Sequence, residues 1–148
     1  GEFENGQVCE DCVANCDSCS DANSCDTCST GFWLNGQICE ACISNCDVCS
    51  SENSCDTCSD GFLLNDGICT TECDLGEFEN GQVCEDCVAN CDSCSDANSC
   101  DTCSTGFWLN GQICEACISN CDVCSNVNSC DTCSTGFLLN DGICTTEC

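Results

Sequence analysis

Residues 9–28 read CEDCVANCDSCSDANSCDTC, and their six cysteines follow the spacing C-x2-C-x3-C-x2-C-x5-C-x2-C. The same spacing recurs at 39–58, 84–103 and 114–133, and ten residues separate the first block from the second and the third from the fourth. The longer stretch between the second and third blocks holds Cys69 and Cys73, and each of these lies a ten-residue spacer away from the block beside it. The chain holds 28 cysteines in 148 residues, well above the roughly 8–10% that marks a disulfide scaffold. A set of cysteines that is so regularly spaced and even in number predicts a disulfide framework. Because disulfides persist in oxidising compartments, we expect a secreted protein, extracellular or at the cell surface.

The chain is a tandem repeat at two levels. Residues 76–148 repeat 1–73 with three changes, in which Ser51, Glu52 and Asp60 become Asn126, Val127 and Thr135. We therefore predict two cysteine-rich repeats, 1–75 and 76–148. Each holds two 30-residue units and a half unit, at 1–30, 31–60 and 61–75 and then at 76–105, 106–135 and 136–148. The chain opens GEFENGQVCE without the features of a signal peptide, so we expect a mature product or a window of a longer array.

The composition excludes several classes of function. There are 27 Asp and Glu residues and no Lys, Arg or His, which gives a net charge of −27. Nucleic acid is not expected as a partner, because no side chain can neutralise a phosphate. A reactive C-x2-C thiol needs nearby positive charge, and no large core is available to build a catalytic pocket, so we expect no enzyme and no catalytic or cofactor-binding residues. The longest apolar run is the four residues 31–34, against about 20 for a membrane span.

The spacers between cysteine blocks carry the strand signal. In GFWLNGQIC (31–39) apolar residues flank Asn35-Gly36, and Asn-Gly favours a tight type I′ hairpin turn. Asn65-Asp66-Gly67 is interpreted as the same hairpin with the glycine moved by one place. The blocks themselves are too rich in Asp, Asn, Ser and Cys for helix or long strand, so we expect loops there, with one helical turn near Ile43-Ser44-Asn45. The predicted fold is a small, disulfide-rich, elongated rod of tandem short β-hairpins and loops with little or no helix.

Six cysteines allow 15 connectivities, so the sequence leaves the pairing open. We favour closing each ten-residue spacer: Cys28–Cys39, Cys58–Cys69, Cys73–Cys84, Cys103–Cys114 and Cys133–Cys144. Neighbours would then pair as Cys12–Cys16, Cys19–Cys25, Cys42–Cys46, Cys49–Cys55, Cys87–Cys91, Cys94–Cys100, Cys117–Cys121 and Cys124–Cys130. A crossed alternative, such as Cys16–Cys25 with Cys19–Cys28, ranks second because it would force a strained Cys39–Cys42 bridge.

The favoured scheme leaves Cys9 and Cys148 without partners. Cys148 occupies the position of Cys73 in the repeat, and Cys9 occupies the position of Cys84. Because Cys73 and Cys84 are paired in this scheme, we predict that Cys9 and Cys148 form an inter-repeat or intersubunit disulfide across a seam.

The stretch NCDSCSDANSCDTCSTGFWLNGQIC, from Asn15 to Cys39, resembles the furin-like cysteine-rich repeat. Similar modules occur in the cysteine-rich domains of growth factor receptors and in tandem cysteine-rich surface proteins of ciliates and other protists. The resemblance implies sequential one-bridge modules, here Cys19–Cys25, Cys28–Cys39 and Cys42–Cys46. It also implies a spacer, stalk or coat rather than a catalyst.

Metal and sugar sites are weaker signals. Thiolate clusters for zinc are disfavoured, because each would add negative charge to a polyanion, and no metal ligand is assigned. Calcium is the better candidate, since carboxylate and amide oxygens suit it and crowd together at Asp17, Asp21, Asn23 and Asp26. Hydroxyls that are candidates for O-linked sugars are Thr27, Thr57, Thr102, Thr132, Ser24, Ser54, Ser99 and Ser129.

The function that these patterns favour is mechanical. We expect a structural subunit of an extracellular filament, stalk or surface coat that self-associates or forms a tandem array. The alternatives are a receptor or adhesin ectodomain that acts as a binding module, and an acidic calcium-binding matrix protein.

Overall fold

The computed structural model describes residues 1–147, and Cys148 lies outside the described residues. No helix occurs among the described residues; twenty short strands form eight two-stranded sheets and one four-stranded sheet. The strands are β1 (Glu2–Asn5), β2 (Val8–Asp11), β3 (Cys16–Ser18), β4 (Thr27–Cys28), β5 (Phe32–Asn35), β6 (Ile38–Ala41), β7 (Cys46–Val48), β8 (Thr57–Cys58), β9 (Leu63–Asn65), β10 (Ile68–Thr70), β11 (Glu77–Asn80), β12 (Val83–Asp86), β13 (Cys91–Ser93), β14 (Thr102–Cys103), β15 (Phe107–Asn110), β16 (Ile113–Ala116), β17 (Cys121–Asn126), β18 (Ser129–Cys133), β19 (Leu138–Asn140) and β20 (Ile143–Thr145). The prediction of a small fold of disulfide-rich tandem hairpins is confirmed.

Each predicted spacer hairpin is present, but its turn differs from the prediction. Asn5 pairs with Val8, so the two turn residues are Gly6 and Gln7 rather than Asn5 and Gly6. Only Gly6 has a positive φ (73°), which is the pattern of a type II′ turn. In the half unit Asp66 and Gly67 both have positive φ, at 47° and 79°, which is the type I′ pattern. The one-place shift of glycine therefore changes the turn type while leaving the hairpin register intact.

The cysteine blocks, predicted to be loops, contain a second set of strand pairs. β3 pairs with β4 through Cys16↔Cys28 and Ser18↔Thr27, with an irregularity between the two pairs. The predicted helical turn near Ile43-Ser44-Asn45 is wrong. The segment is a turn that ends at Asn45 with φ 62°, and asparagine is one of the few residues that adopts this left-handed conformation readily.

The core consists mainly of cystine. Fourteen described residues are buried, and twelve of them are cysteines; the others are Leu63 and Asn65. Trp33, Ile43 and Phe62 are half-buried and pack against the cluster of Cys46, Cys49, Cys55 and Cys58. Sulfur thus replaces the aliphatic core that a chain of this composition cannot supply.

The fold divides into two compact units. The first comprises Gly1–Glu72 together with Gly81–Val83, and the second comprises Cys73–Asn80 and the chain from Cys84 onward. Each unit contains complete cysteine blocks and spacer hairpins, so each has its own cystine core. The division of the sequence into 1–75 and 76–148 stays a prediction about the repeat.

Candidate functional site

The disulfides form a regular series with three sequence separations, 7, 9 and 11. The bridges of separation 11 include all five that were predicted across the spacers. The eight others join Cys12–Cys19, Cys16–Cys25, Cys42–Cys49, Cys46–Cys55, Cys87–Cys94, Cys91–Cys100, Cys117–Cys124 and Cys121–Cys130. The predicted pairings of near neighbours, from Cys12–Cys16 and Cys19–Cys25 onward, are wrong. So are the Cys19–Cys25 and Cys42–Cys46 bridges that the family resemblance implied.

Strand pairing inside the block explains the crossed bridges. The N–H of Asp26 donates to the carbonyl of Ser18 at 2.8 Å, and this bond brings Cys25 back alongside β3. Cys16 and Cys25 then both point into the core, and each is only 4% exposed. Cys19 therefore bonds to Cys12 instead of Cys25. The crossed alternative considered from the sequence predicted the Cys16–Cys25 bridge correctly. It wrongly paired Cys19 with Cys28, which bonds to Cys39.

Neighbouring bridges touch each other. The Sγ atom of Cys39 lies 3.2 Å from the Sγ atom of Cys25, and the same distance separates Cys114 from Cys100. The Sγ atoms of Cys16, Cys25 and Cys39 all lie within 4.8 Å of one another, a spacing that thiolates could use to hold a metal ion. Here all three sulfurs belong to disulfides, and because the thiolate is the metal ligand, this cluster is a structural contact.

Cys9 is unpaired and exposed, and it is the one free cysteine among the described residues. It lies on β2 opposite Glu4. Its counterparts on the other spacer hairpins, Cys39, Cys69, Cys84, Cys114 and Cys144, all form bridges. The pairing scheme favoured from the sequence had already left Cys9 without a partner. The other cysteine of the predicted seam, Cys148, lies outside the described residues.

The acidic turn at Asp21 has its carboxylate occupied by local donors. The N–H of Asn23 donates to Oδ1 of Asp21 and the hydroxyl of Ser24 donates to Oδ2, each at 2.8 Å. The carboxylates of Asp26 and Asp17 also accept hydroxyl hydrogen bonds, from Ser20 and Ser29 respectively. These carboxylates therefore act as acceptors of hydrogen bonds within the first unit, and calcium binding there stays a prediction.

We expect Asp21 and Asp96 to ionise at lower pH than an aspartate in the unfolded chain. The N–H of Asn23 and the hydroxyl of Ser24 lower the pKa of Asp21, and Asn98 and Ser99 do the same for Asp96. A folded-state pKa below the unfolded value stabilises the fold above the unfolded pKa, and this contribution is lost as pH falls through the folded pKa. Carboxyl ¹³C shifts recorded against pH measure both values.

Asn126 provides the matched control for that prediction. It occupies the same place in the fourth unit, and its side-chain oxygen accepts the N–H of Asn128 at 2.9 Å. Asp21→Asn with Asp96→Asn should therefore keep the turns while reducing the acid-induced loss of stability. A peptide-like pKa at both aspartates in the folded protein would contradict the prediction.

The candidate glycosylation hydroxyls fall into two groups. Thr27, Thr57, Thr102 and Thr132 are exposed, as is Ser54, whereas Ser24, Ser99 and Ser129 are half-buried. Thr27 shares a hydrogen bond with Ser18 across the β3–β4 pair. The four threonines and Ser54 are thus the accessible positions, and modification by sugars stays a prediction.

In the part of the chain that the structure describes, no helix is long and apolar enough to cross a membrane. No protein-family model and no curated protein matches the chain.

Proposed function

We propose that this chain is a structural subunit of an extracellular filament, stalk or surface coat. The observation that carries the proposal is the uninterrupted series of bridges across two nearly identical repeats. Four of the five bridges of separation 11 tie a cysteine block to the next spacer hairpin, as Cys28–Cys39 and Cys58–Cys69 do. The fifth, Cys73–Cys84, ties the half unit to the hairpin that follows it. Load applied along such a chain passes through short loops closed by covalent bonds.

The chemistry of the surface supports the same role. A net charge of −27 keeps separate chains soluble by repulsion. The cystine core requires an oxidising environment, which supports a secreted protein at or outside the cell surface. The function that we propose needs no catalytic group. Tandem hairpins joined by bridges agree with the coarse features of a furin-like repeat, and membership of that family is part of the proposal.

The proposed seam joins Cys9 of one copy to Cys148 of the next. Its formation removes two electrons and two protons from the two thiols, and a small-molecule disulfide such as oxidised glutathione serves as the oxidant. The Cys9 thiolate displaces one small thiol to give a mixed disulfide, and the Cys148 thiolate displaces the second. The internal bridge Cys73–Cys84 joins the cysteines at the equivalent positions of the repeat.

Non-reducing mass analysis tests this function. We expect covalent oligomers in multiples of 15.5 kDa under a glutathione redox buffer, and filaments in negative-stain electron microscopy. Cys9→Ser should abolish the covalent ladder while preserving the fold, because the Cys9 side chain is exposed and unpaired. Strictly monomeric, globular particles under all oxidising conditions would refute the filament proposal and favour a discrete binding module.

A further inference from the structure

The half unit occurs twice with one sequence in two environments. Residues 61–73 and 136–148 both read GFLLNDGICTTEC. Leu63 is 9% exposed, but its counterpart Leu138 is 49% exposed. Asn65 is buried, whereas its counterpart Asn140 is exposed. Because the two sequences are identical, the difference comes from what covers the segment and not from the residues themselves.

The cover over Leu63–Asn65 is the segment Gly81–Val83, which belongs to the same compact unit. The N–H of Leu64 donates to the carbonyl of Gln82 at 2.7 Å. Val83 pairs with Leu64 in parallel register. The outer edge of β9 is therefore closed by a short parallel strand contact.

The corresponding edge of β19 is open among the described residues. In the β19–β20 hairpin, Asn140 and Ile143 form the pair next to the turn, and Leu139 and Cys144 form the following pair. In a two-residue hairpin the closing pair exchanges hydrogen bonds and the next pair does not, so the Leu139 N–H points away from β20. No described residue accepts that N–H. Leu138 and Leu139, about half exposed, lie on this open strand.

A segment that fits this edge exists on the chain itself. Gly6-Gln7-Val8 has the same sequence as Gly81-Gln82-Val83 and the same place in its hairpin turn. The carbonyls of Gln37, Gln82 and Gln112 each accept a backbone N–H from outside their hairpin, but the carbonyl of Gln7 accepts none among the described residues. Val8 is 60% exposed against 40% for Val83.

We propose that the open edge of β19 binds Gly6-Gln7-Val8 of a second copy of this chain. The Leu139 N–H donates to the partner's Gln7 carbonyl and Val8 lies beside Leu139, in the register that joins Leu64 to Gln82 and Val83. This inference rests on the proposed function and names its non-covalent interface. The β19 edge and the segment Gly6-Gln7-Val8 are different surfaces, so a copy that uses one of them in a contact still has the other free. The contact therefore propagates head to tail rather than closing a symmetric dimer.

Charge modulates this contact. Both partners carry a net charge of −27, and their mutual repulsion is screened by salt. Association should therefore strengthen as ionic strength rises, in contrast to a contact held by opposite charges.

Sedimentation velocity on Cys9→Ser chains tests the edge without the covalent seam. We expect reversible, concentration-dependent oligomers of this variant at 0.5 M NaCl. Leu138→Glu and Val8→Glu, each made in that background, should weaken association at least about tenfold, because each would place a charge in a contact that excludes water. Val127→Glu is the matched control: Val127 is 52% exposed, and Glu52 occupies the same place in the second unit.

Mixing the two weakened variants tests the head-to-tail geometry. Leu138→Glu retains Gly6–Val8, and Val8→Glu retains the β19 edge, so a mixture should form dimers and nothing larger. Unchanged circular dichroism of both variants verifies their fold. Undiminished oligomers of Leu138→Glu, or no dimer in the mixture, would overturn the edge contact, while filaments of the unmodified chain in the microscope would leave the proposed function intact. Failure of the unmodified chain to assemble at all would overturn both.

Discussion

Complete reduction of the described bridges without denaturant is expected to unfold both compact units. No described side chain is less than 2% exposed, and the apolar residues that are buried are twelve cysteines and Leu63. Loops of this size each stabilise the fold by about 2–3 kcal/mol in the chain-entropy model. Domains have a net stability of about 5–15 kcal/mol, so the combined contribution of thirteen bridges exceeds any surplus that the remaining contacts could supply.

Amide dispersion in ¹H–¹⁵N spectra, followed during titration with a phosphine reductant, measures this collapse. The thiols are alkylated at each step so that mass spectrometry counts the bridges that remain. The control is the oxidised protein alkylated at its free thiols without prior reduction, which should keep full dispersion. A fully alkylated chain that retains native dispersion would show that hydrophobic packing, and not cystine, holds the fold.

The spacer hairpins could be predicted because their signals are local. Asn35-Gly36 between apolar residues marks a tight turn, and a tight turn brings the ends of a ten-residue spacer together at Cys28 and Cys39. The turn type was harder, since the register places Asn35 in the strand and Gly36 at the first turn position. Only the pairing across the turn decides which of the two residues needs a positive φ.

The bridges inside the blocks could not be predicted for the opposite reason. They depend on β3 pairing with β4 through an irregular register, and the Asp-, Ser- and Cys-rich block carries no alternation that reveals a strand. Nearest-neighbour pairing minimises loop length, but the backbone bond from Asp26 to Ser18 determines which sulfurs meet. The open edge of β19 could not be predicted from the sequence either, because residues 61–73 and 136–148 are identical and only their surroundings differ.

Removal of the buried crossed bridge should lower the free energy of unfolding more than removal of the half-buried one. In the chain-entropy model, Cys12–Cys19 and Cys16–Cys25, with separations of 7 and 9, each contribute about 2.5 kcal/mol. Cys16 and Cys25 are each 4% exposed, whereas Cys12 and Cys19 are half-buried. We expect Cys16→Ala with Cys25→Ala to lose a further 1–2 kcal/mol or so, since it also leaves a cavity in the core.

The cavity would lie beside the next bridge along the chain. Cys25 contacts the sulfur of Cys39 at 3.2 Å, so its loss also removes packing around the Cys28–Cys39 bridge that ties the first block to the next hairpin. Urea unfolding of the two double variants, monitored by tryptophan fluorescence, compares them directly, and Cys9→Ala serves as the neutral control. Equal midpoints for the two variants would mean that chain entropy alone sets the contribution of each bridge. A lower midpoint for the buried pair would identify the cystine core as a packed interior, in which sulfur contacts and covalent closure stabilise the same few residues.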